Sequence, residues 1–345
     1  MTSTQWLIYG ANGYTGELIA REAVRRGMRP VLAGRSRETI EKLANELACE
    51  WRVFDLNNPD LSGVNLVLHC AGPFIQTSKP MVDACLAAGV HYLDITGEIP
   101  VFESILGRND EAKKRGVTLL PGVGFDVVPT DCLAAMLAER MPDATHLALA
   151  FYAKGTSLSR GTTKTMLESI GVGGAIRENG KIVRVPTAYD VREISFSIGT
   201  RTAMTIPWGD VATAYRTTGI PNIRVYIATH AKSVKRMRLM RPLLPIAGLK
   251  PIRRLLQKFV DRRSSGPDAQ VRSSARMYLW GEVRNASGVA RSMTMTTPEG
   301  YAFTIVSALN AVERVLRSTR PGAFTPAKLL GADFVATVPR VLIDA

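Results

Sequence analysis

The chain holds little of what braces a small or metal-dependent fold. It has four cysteines in 345 residues, Cys49, Cys70, Cys85 and Cys132, and no two form a CxxC pair. Its four histidines, His69, His91, His146 and His230, are equally isolated. That spacing argues against a disulfide scaffold and supplies no zinc set, so no metal site is expected, and it suits a reducing compartment. No apolar run reaches the roughly 18 residues of a spanning helix. No basic, apolar, small-residue leader precedes the first strand-like segment, so no signal peptide is predicted. The expected location is the cytoplasm. No internal repeat is found. What is there, 46% apolar and 21% charged residues, is an ordinary globular composition with length enough for two domains.

Acidic residues are scarce in one place above all. The net charge is +14, and +10 of it falls between Lys232 and Arg263, where eleven Lys and Arg meet one acid, Asp261. Charge this local asks for a local explanation. From Leu249 onward, apolar residues recur at 249, 252, 255, 256, 259 and 260, with Lys250, Arg253, Arg254, Lys258 and Arg262 filling the gaps. That is a helical stripe with a cationic face. It suits a membrane surface, with the protein peripheral there, or an acidic partner such as an acyl carrier protein, or a helix packed on its own domain with a solvated basic side. Nucleic acid is not expected, because Phe259 alone interleaves these charges with an aromatic ring.

The rest of the chain divides by rhythm. Residues 5–9 (QWLIY) read as a buried strand, 14–27 as a helix with Leu18, Ile19, Ala23 and Val24 inward, 30–34 as a strand, 36–48 as a helix and 51–54 as a strand. Strands at 64–69, 91–95 and 117–121 then alternate with helices at 78–88 and 99–115. This is the pattern of an α/β doubly wound parallel sheet, and it occupies residues 1–128. After Pro129 a helix at 130–141 leads into longer strands at 145–153, 192–198, 222–229, 276–284 and 289–297. These suit an antiparallel sheet in a second α+β domain, residues 129–317, for substrate binding and dimerisation. Residues 301–317 read as an amphipathic helix, and 318–345 are expected to pack back on the first domain.

The first strand runs into Gly10-Ala11-Asn12-Gly13-Tyr14-Thr15-Gly16 and a helix. This is the context of a dinucleotide loop in a Rossmann domain: Gly10 for the tight turn, Gly13 for close approach to a pyrophosphate, Gly16 for helix–sheet packing. Backbone N–H groups and the helix dipole then face the phosphates. At the end of the second strand, where NAD proteins usually place a carboxylate on the ribose, stand Gly34, Arg35 and Ser36. No acid there repels a 2′-phosphate, and Arg35 can grip one, so NADP(H) is the expected cofactor.

The set GANGYTG, AGRS, CAGPF (70–74), HYLDITGE (91–98) and PGVGFDVVPTD (121–131), with the tail GYAFT…PGAFTPAKLLG, resembles the saccharopine dehydrogenase-like oxidoreductases, and within them the trans-acting enoyl reductases. The middle of the chain matches more loosely. The resemblance implies an NADP-dependent reductase with a Rossmann domain and an inserted α+β domain. It also implies reduction of a C=C bond in a hydrophobic acyl or isoprenoid-like substrate, free or carrier-bound. C–N oxidoreduction is the alternative within the family, though no arginine pair for an amino-diacid is evident. A non-catalytic NADP(H)-sensing protein is the alternative of another class.

These motifs also read physically. Ala71, Gly72 and Pro73 follow the fourth strand at the carboxyl edge of the sheet, where ligands bind in open α/β folds. Gly72 admits the cofactor, Pro73 stiffens the turn, and Phe74 is either a wall for the nicotinamide or a buried structural ring. No Tyr has a Lys four residues on, which weighs against a short-chain ketone reductase. Glu98, Asp126, Asp94 and Tyr92 are the proton-donor candidates near that edge, each equally able to be structural. Thr130 or Asp131 reads as a helix cap, and His69 as a core histidine.

Overall fold

The computed structural model describes residues 5–163, 171, 173–247, 249, 252 and 266–344. The first six strands are β1 (Trp6–Tyr9), β2 (Val31–Gly34), β3 (Trp51–Val53), β4 (Leu66–His69), β5 (His91–Asp94) and β6 (Thr118–Leu120). Together with the late β15 (Gly322–Ala323) they form one parallel sheet in the order β15-β6-β5-β4-β1-β2-β3. β1, β2 and β4 are buried along their whole length, as expected of strands covered on both faces. Helix α1 (Tyr14–Arg25) turns Gly16, Ile19, Ala20 and Ala23 inward, while Leu18 and Val24 are half-buried flanks.

Two helices depart from the sequence reading. Helix α2 (Arg37–Leu47) falls where it was expected, but α3 (Phe74–Ala88) begins four residues before the predicted start at 78. Its opening N–H groups, on Phe74 and Ile75, donate to the Glu98 carboxylate at 2.8 and 2.9 Å, a cap supplied from 24 positions away. The single helix predicted at 99–115 is two, α4 (Ile99–Leu106) and α5 (Asn109–Lys114), broken at Gly107-Arg108.

After α6 (Val128–Arg140) the chain builds a second sheet from β7 (Ala144–Lys154), β8 (Gly174–Glu178), β9 (Lys181–Val185), β10 (Val191–Phe196), β11 (Gly199–Thr205), β12 (Asn222–Ala228), β13 (Arg276–Asn285), β14 (Ala290–Pro298) and β16 (Leu342–Asp344). The order is β10-β11-β12-β7-β13-β14-β16, with the β8–β9 hairpin attached to β12. The sheet is mixed, not purely antiparallel as predicted. β12 runs parallel to β7, because the chain between them passes through two hairpins and α7 (Asp210–Thr218) and returns in the original direction. β8, β9, β11 and α7 had no expectation in the sequence. Helix α6 lies against β7, β13 and β14, and one core runs from Leu68 and Phe125 through Leu149 and Val225 to Met295.

Helix α8 (Ala231–Leu239) opens the basic segment, a 3-10 turn (Arg241–Leu243) and α9 (Leu244–Ala247) follow, and α10 (Ala269–Ser274) lies after its end. The stripe expected from 249 onward, including Arg253, Arg254, Lys258 and Arg262, lies outside the described residues apart from 249 and 252. Helix α11 (Gly300–Arg317), assigned from the sequence to the second domain, packs on α1 and β4 of the first. Its apolar face, Phe303, Ser307, Leu309, Val312 and Val315 among others, covers that sheet. The tail divides: β15 joins the first sheet, α12 (Pro326–Leu330) packs on α6, and β16 pairs with β14 of the second sheet.

Candidate functional site

Around β1 the sheet order reverses, with β2 and β3 on one side and β4, β5 and β6 on the other. At the carboxyl ends of β1 and β4 opens a cleft of about 860 Å³ that reaches the second sheet. This is where an open α/β sheet binds its ligand. Its near wall includes Gly10, Asn12, Gly13, Tyr14 and Thr15 from the loop, Gly34 at the end of β2 with Arg35 and Ser36 after it, and Ala71 and Gly72 after β4. Ala11, Gly16 and Pro73 stand behind this wall: Ala11 and Gly16 are buried, and Pro73 precedes the first turn of α3.

The loop has the steric character of a phosphate cradle. Gly10 sits at φ +82°, and a Cβ there would lie 2.8 Å from the Ala71 Cβ and 2.9 Å from its nitrogen. Gly16 is tighter still, because a Cβ would meet the Gly10 carbonyl oxygen at 2.2 Å, so the helix can start here only without a side chain. At Gly13 the same contact is 3.2 Å, a close fit without a clash. Asn12 Nδ2 donates to Thr39 Oγ1 at 2.9 Å and ties the loop to α2. Arg35 and Ser36 are exposed at the rim, and Arg35 has no ion pair among the described residues. Its neighbour Arg37 is turned away over the Trp51 ring, 5.1 Å from its centre. Tyr14 is only partly a cofactor residue. Its ring lines the cleft edge-on to Tyr301, but its hydroxyl donates to the Pro267 carbonyl and accepts from Arg272 Nη1 at 3.0 Å.

The four proton-donor candidates separate. Tyr92 and Asp94 are buried beneath the sheet edge and do not line the cleft. Asp94 accepts from Thr96 N at 3.0 Å, Gly122 N at 2.8 Å and the Tyr92 hydroxyl at 2.7 Å, which fixes the turns after β5 and β6. Burial pushes its carboxyl up to about 6 against those hydrogen bonds, and it pushes the Tyr92 hydroxyl well above its ordinary value. Glu98 is committed to the start of α3. Asp126 alone of the four lines the cleft. Its carboxyl packs on the bare Gly97, where a Cβ would lie 2.7 Å from Oδ2. Burial lifts it to about 7, and the nearby Glu98 carboxylate adds to the rise.

The structural readings of the other motif residues can be placed as well. His69 is wholly buried with Nε2 3.0 Å from Thr77 Oγ1, and burial holds it neutral by lowering its pKa to about 3. Phe74 is both buried and on the cleft wall, edge-on to His69. Asp131 caps nothing at the start of α6. Its carboxylate accepts from Thr217 Oγ1 at 2.6 Å and Ala327 N at 2.8 Å, tying α7 and α12 together.

The far wall was missed in the sequence. It includes Phe125, Phe151, Trp208, Ile227 and Met277, an aromatic and aliphatic surface drawn from widely separated positions. Trp208 Nε1 donates to the Asp126 carbonyl at 2.6 Å, which fixes the turn before α6 that carries the carboxyl. Tyr301 accepts from Ser159 N at 2.7 Å and lies 2.8 Å from Thr162 Oγ1, so it holds the 156–163 loop over the cleft. Glu299 is buried, accepts from Thr156 Oγ1 at 2.7 Å, and caps α11 through Tyr301 N and Ala302 N. The motifs PGVGFDVVPTD, which holds Phe125, and GYAFT, which holds Tyr301, were the sequence signals for this group.

A two-domain protein with a dinucleotide cleft at the switch point of its first sheet is the class these features define. Residues 6–120 match the saccharopine dehydrogenase NADP binding domain. The first domain is thus similar to an NADP-binding domain of that family, and its cofactor is NADP(H), in keeping with a cradle shaped by Gly10 and Gly16 and an uncompensated Arg35. The chain is similar to the saccharopine dehydrogenase-like oxidoreductase of Rattus norvegicus, 25% identical over 205 residues, 50% of this chain and 48% of that protein. It is also similar to a trans-acting enoyl reductase of Mycobacterium bovis, 30% identical over 147 residues, 39% of this chain and 35% of that one. The matches span about half the length of these curated relatives, or less. In fold it resembles apo saccharopine dehydrogenase (L-Glu forming) of Saccharomyces cerevisiae, with a TM-score of 0.63 at 11% identity over 96% of both chains.

Proposed function

We propose that the protein is an NADPH-dependent oxidoreductase that reduces a C=C bond in a hydrophobic enoyl or isoprenoid-like substrate. The observation that carries this reading is the continuity of the cleft, from the glycine loop past the Asp126 carboxyl to the wall of Phe125, Phe151, Trp208 and Met277. Bound NADPH supplies the hydride. The residues of this chain do the rest. The loop and Arg35 hold the phosphates, the far wall takes an apolar chain out of water, and Asp126 keeps a proton near neutral pH. Adding that proton to the carbon next to the acyl carbonyl, with the hydride on the other alkene carbon, gives the saturated product and leaves Asp126 ionised.

A relative bearing the enoyl reductase name supports the reading. The C–N alternative would call for paired cations at the far end, and among the described residues lining that part Arg160 is the one cation. The test is NADPH oxidation by the purified protein against enoyl thioesters of increasing chain length, isoprenoid enals and amino-diacid imines. Turnover that improves with chain length supports the proposal. Turnover of the imine alone favours C–N chemistry, and NADPH binding without turnover of any substrate favours a sensing role.

A further inference from the structure

The start of the basic segment carries a surface that cofactor binding does not use. Among the described residues, helix α8 and the turn after it are anchored from one side: Val234 is buried, and Arg238 and Arg241 donate to the carbonyl oxygens of Thr187, Ala188 and Tyr189. Beyond that anchor the apolar residues turn outward. Leu239 is 82% exposed, and Met240, Leu243, Ile246 and Leu249 are all exposed too. Of the eleven large apolar side chains that the described residues leave exposed, these five fall between 239 and 249. A cluster of this kind marks an interaction site, whereas scattered single leucines do not. Lys232, Lys235 and Arg236 stand exposed just before it, and positions 231–249 contain no acidic residue.

We infer that this face, residues 232–249, docks on an anionic lipid surface, with Leu239, Leu243, Ile246 and Leu249 entering the interface and Lys232, Lys235 and Arg236 meeting the headgroups. Cations beside outward-pointing leucines, on short helices broken by Pro242 and Pro245, match the chemistry of an interfacial segment.

Flotation of the full chain with vesicles tests this. One set is phosphatidylcholine with phosphatidylglycerol at about a third of the lipid, and the other is phosphatidylcholine alone. The protein is expected to float with the anionic vesicles at low salt and to be released by high salt. Lys232→Gln with Lys235→Gln and Arg236→Gln should lower partitioning roughly a hundredfold, since each such charge is worth about fivefold near an anionic leaflet. Leu239→Asn with Leu243→Asn should lower it about tenfold or more. NADPH affinity should stay unchanged in both variants, which also reports that they fold. Absence of flotation at low salt overturns the proposal, and so does a leucine variant that floats like the parent. Capture by an acidic carrier protein without vesicle binding would overturn it as well and assign the face to that partner.

Discussion

The two walls of the cleft are built on different principles. The near wall is made of backbone: a glycine loop, the ends of three neighbouring strands, and one exposed arginine, most of it within a single short stretch and the strand that follows. The far wall is made of side chains from β7, the approach to α7, β12, β13 and the start of α11, between residues 125 and 304. Geometry fixed by backbone tolerates almost no change, whereas a surface of packed side chains can be retuned one contact at a time. The cofactor end should therefore fail abruptly on mutation and the substrate end by degrees.

The largest effect should come at Gly16. Gly16→Val forces a side chain against the Gly10 carbonyl, so unfolding in urea should show a loss of about 3 kcal/mol, with NADPH binding lost as well. Gly13→Val, where the internal fit is looser, should lose NADPH but keep its stability. A Gly16→Val protein that binds NADPH normally would erase the contrast between the walls.

Next is Asp126, where the walls meet. Asp126→Asn should lower kcat about a hundredfold. Because the protonated carboxyl is the donor and burial raises it to about 7, parental kcat should fall as pH rises through that value, and the variant should lose this limb. A variant that retains the limb would place the proton on another group.

Arg35→Ala should weaken NADPH binding by about 1.5–3 kcal/mol and leave NADH binding nearly unchanged. Titration of both cofactors checks it, and equal losses would remove Arg35 from the 2′-phosphate. The smallest effect should be at Tyr301. Tyr301→Phe removes its bonds to Ser159 and Thr162, and should raise the substrate KM about fivefold, the equivalent of about 1 kcal/mol, without touching the NADPH Kd. A change in the NADPH Kd instead would show that the 156–163 loop serves the cofactor.

The same contrast explains what could be read from the sequence. β1, the glycine loop, α1 and β2 follow one another in the chain, so local periodicity and three glycines were enough to place them. The rest of the parallel sheet followed from its alternation. The second sheet was legible only in part, through β7, β10, β12, β13 and β14. β8 and β9 are short, β11 opens on the exposed Gly199 and Thr200, and α7 pairs with α6 across some 80 positions, so no local pattern reports them. Glu98 shows the same limit at one residue. Its place after a strand end resembles that of Asp126, and only the fold reveals that its carboxylate is taken by the start of α3. Asp126 and Glu98 could not be told apart without knowing which one faces Gly97 and the cleft.

The path of the chain between the sheets has a mechanical consequence. It leaves the first sheet after β6, returns through α11 to β15, and goes back once more with β16. Three covalent connections thus bridge the halves, and a single nick in any one of them leaves the other two intact. The halves cannot part like beads on a string. Any opening of the mouth between them has to bend all three connections at once.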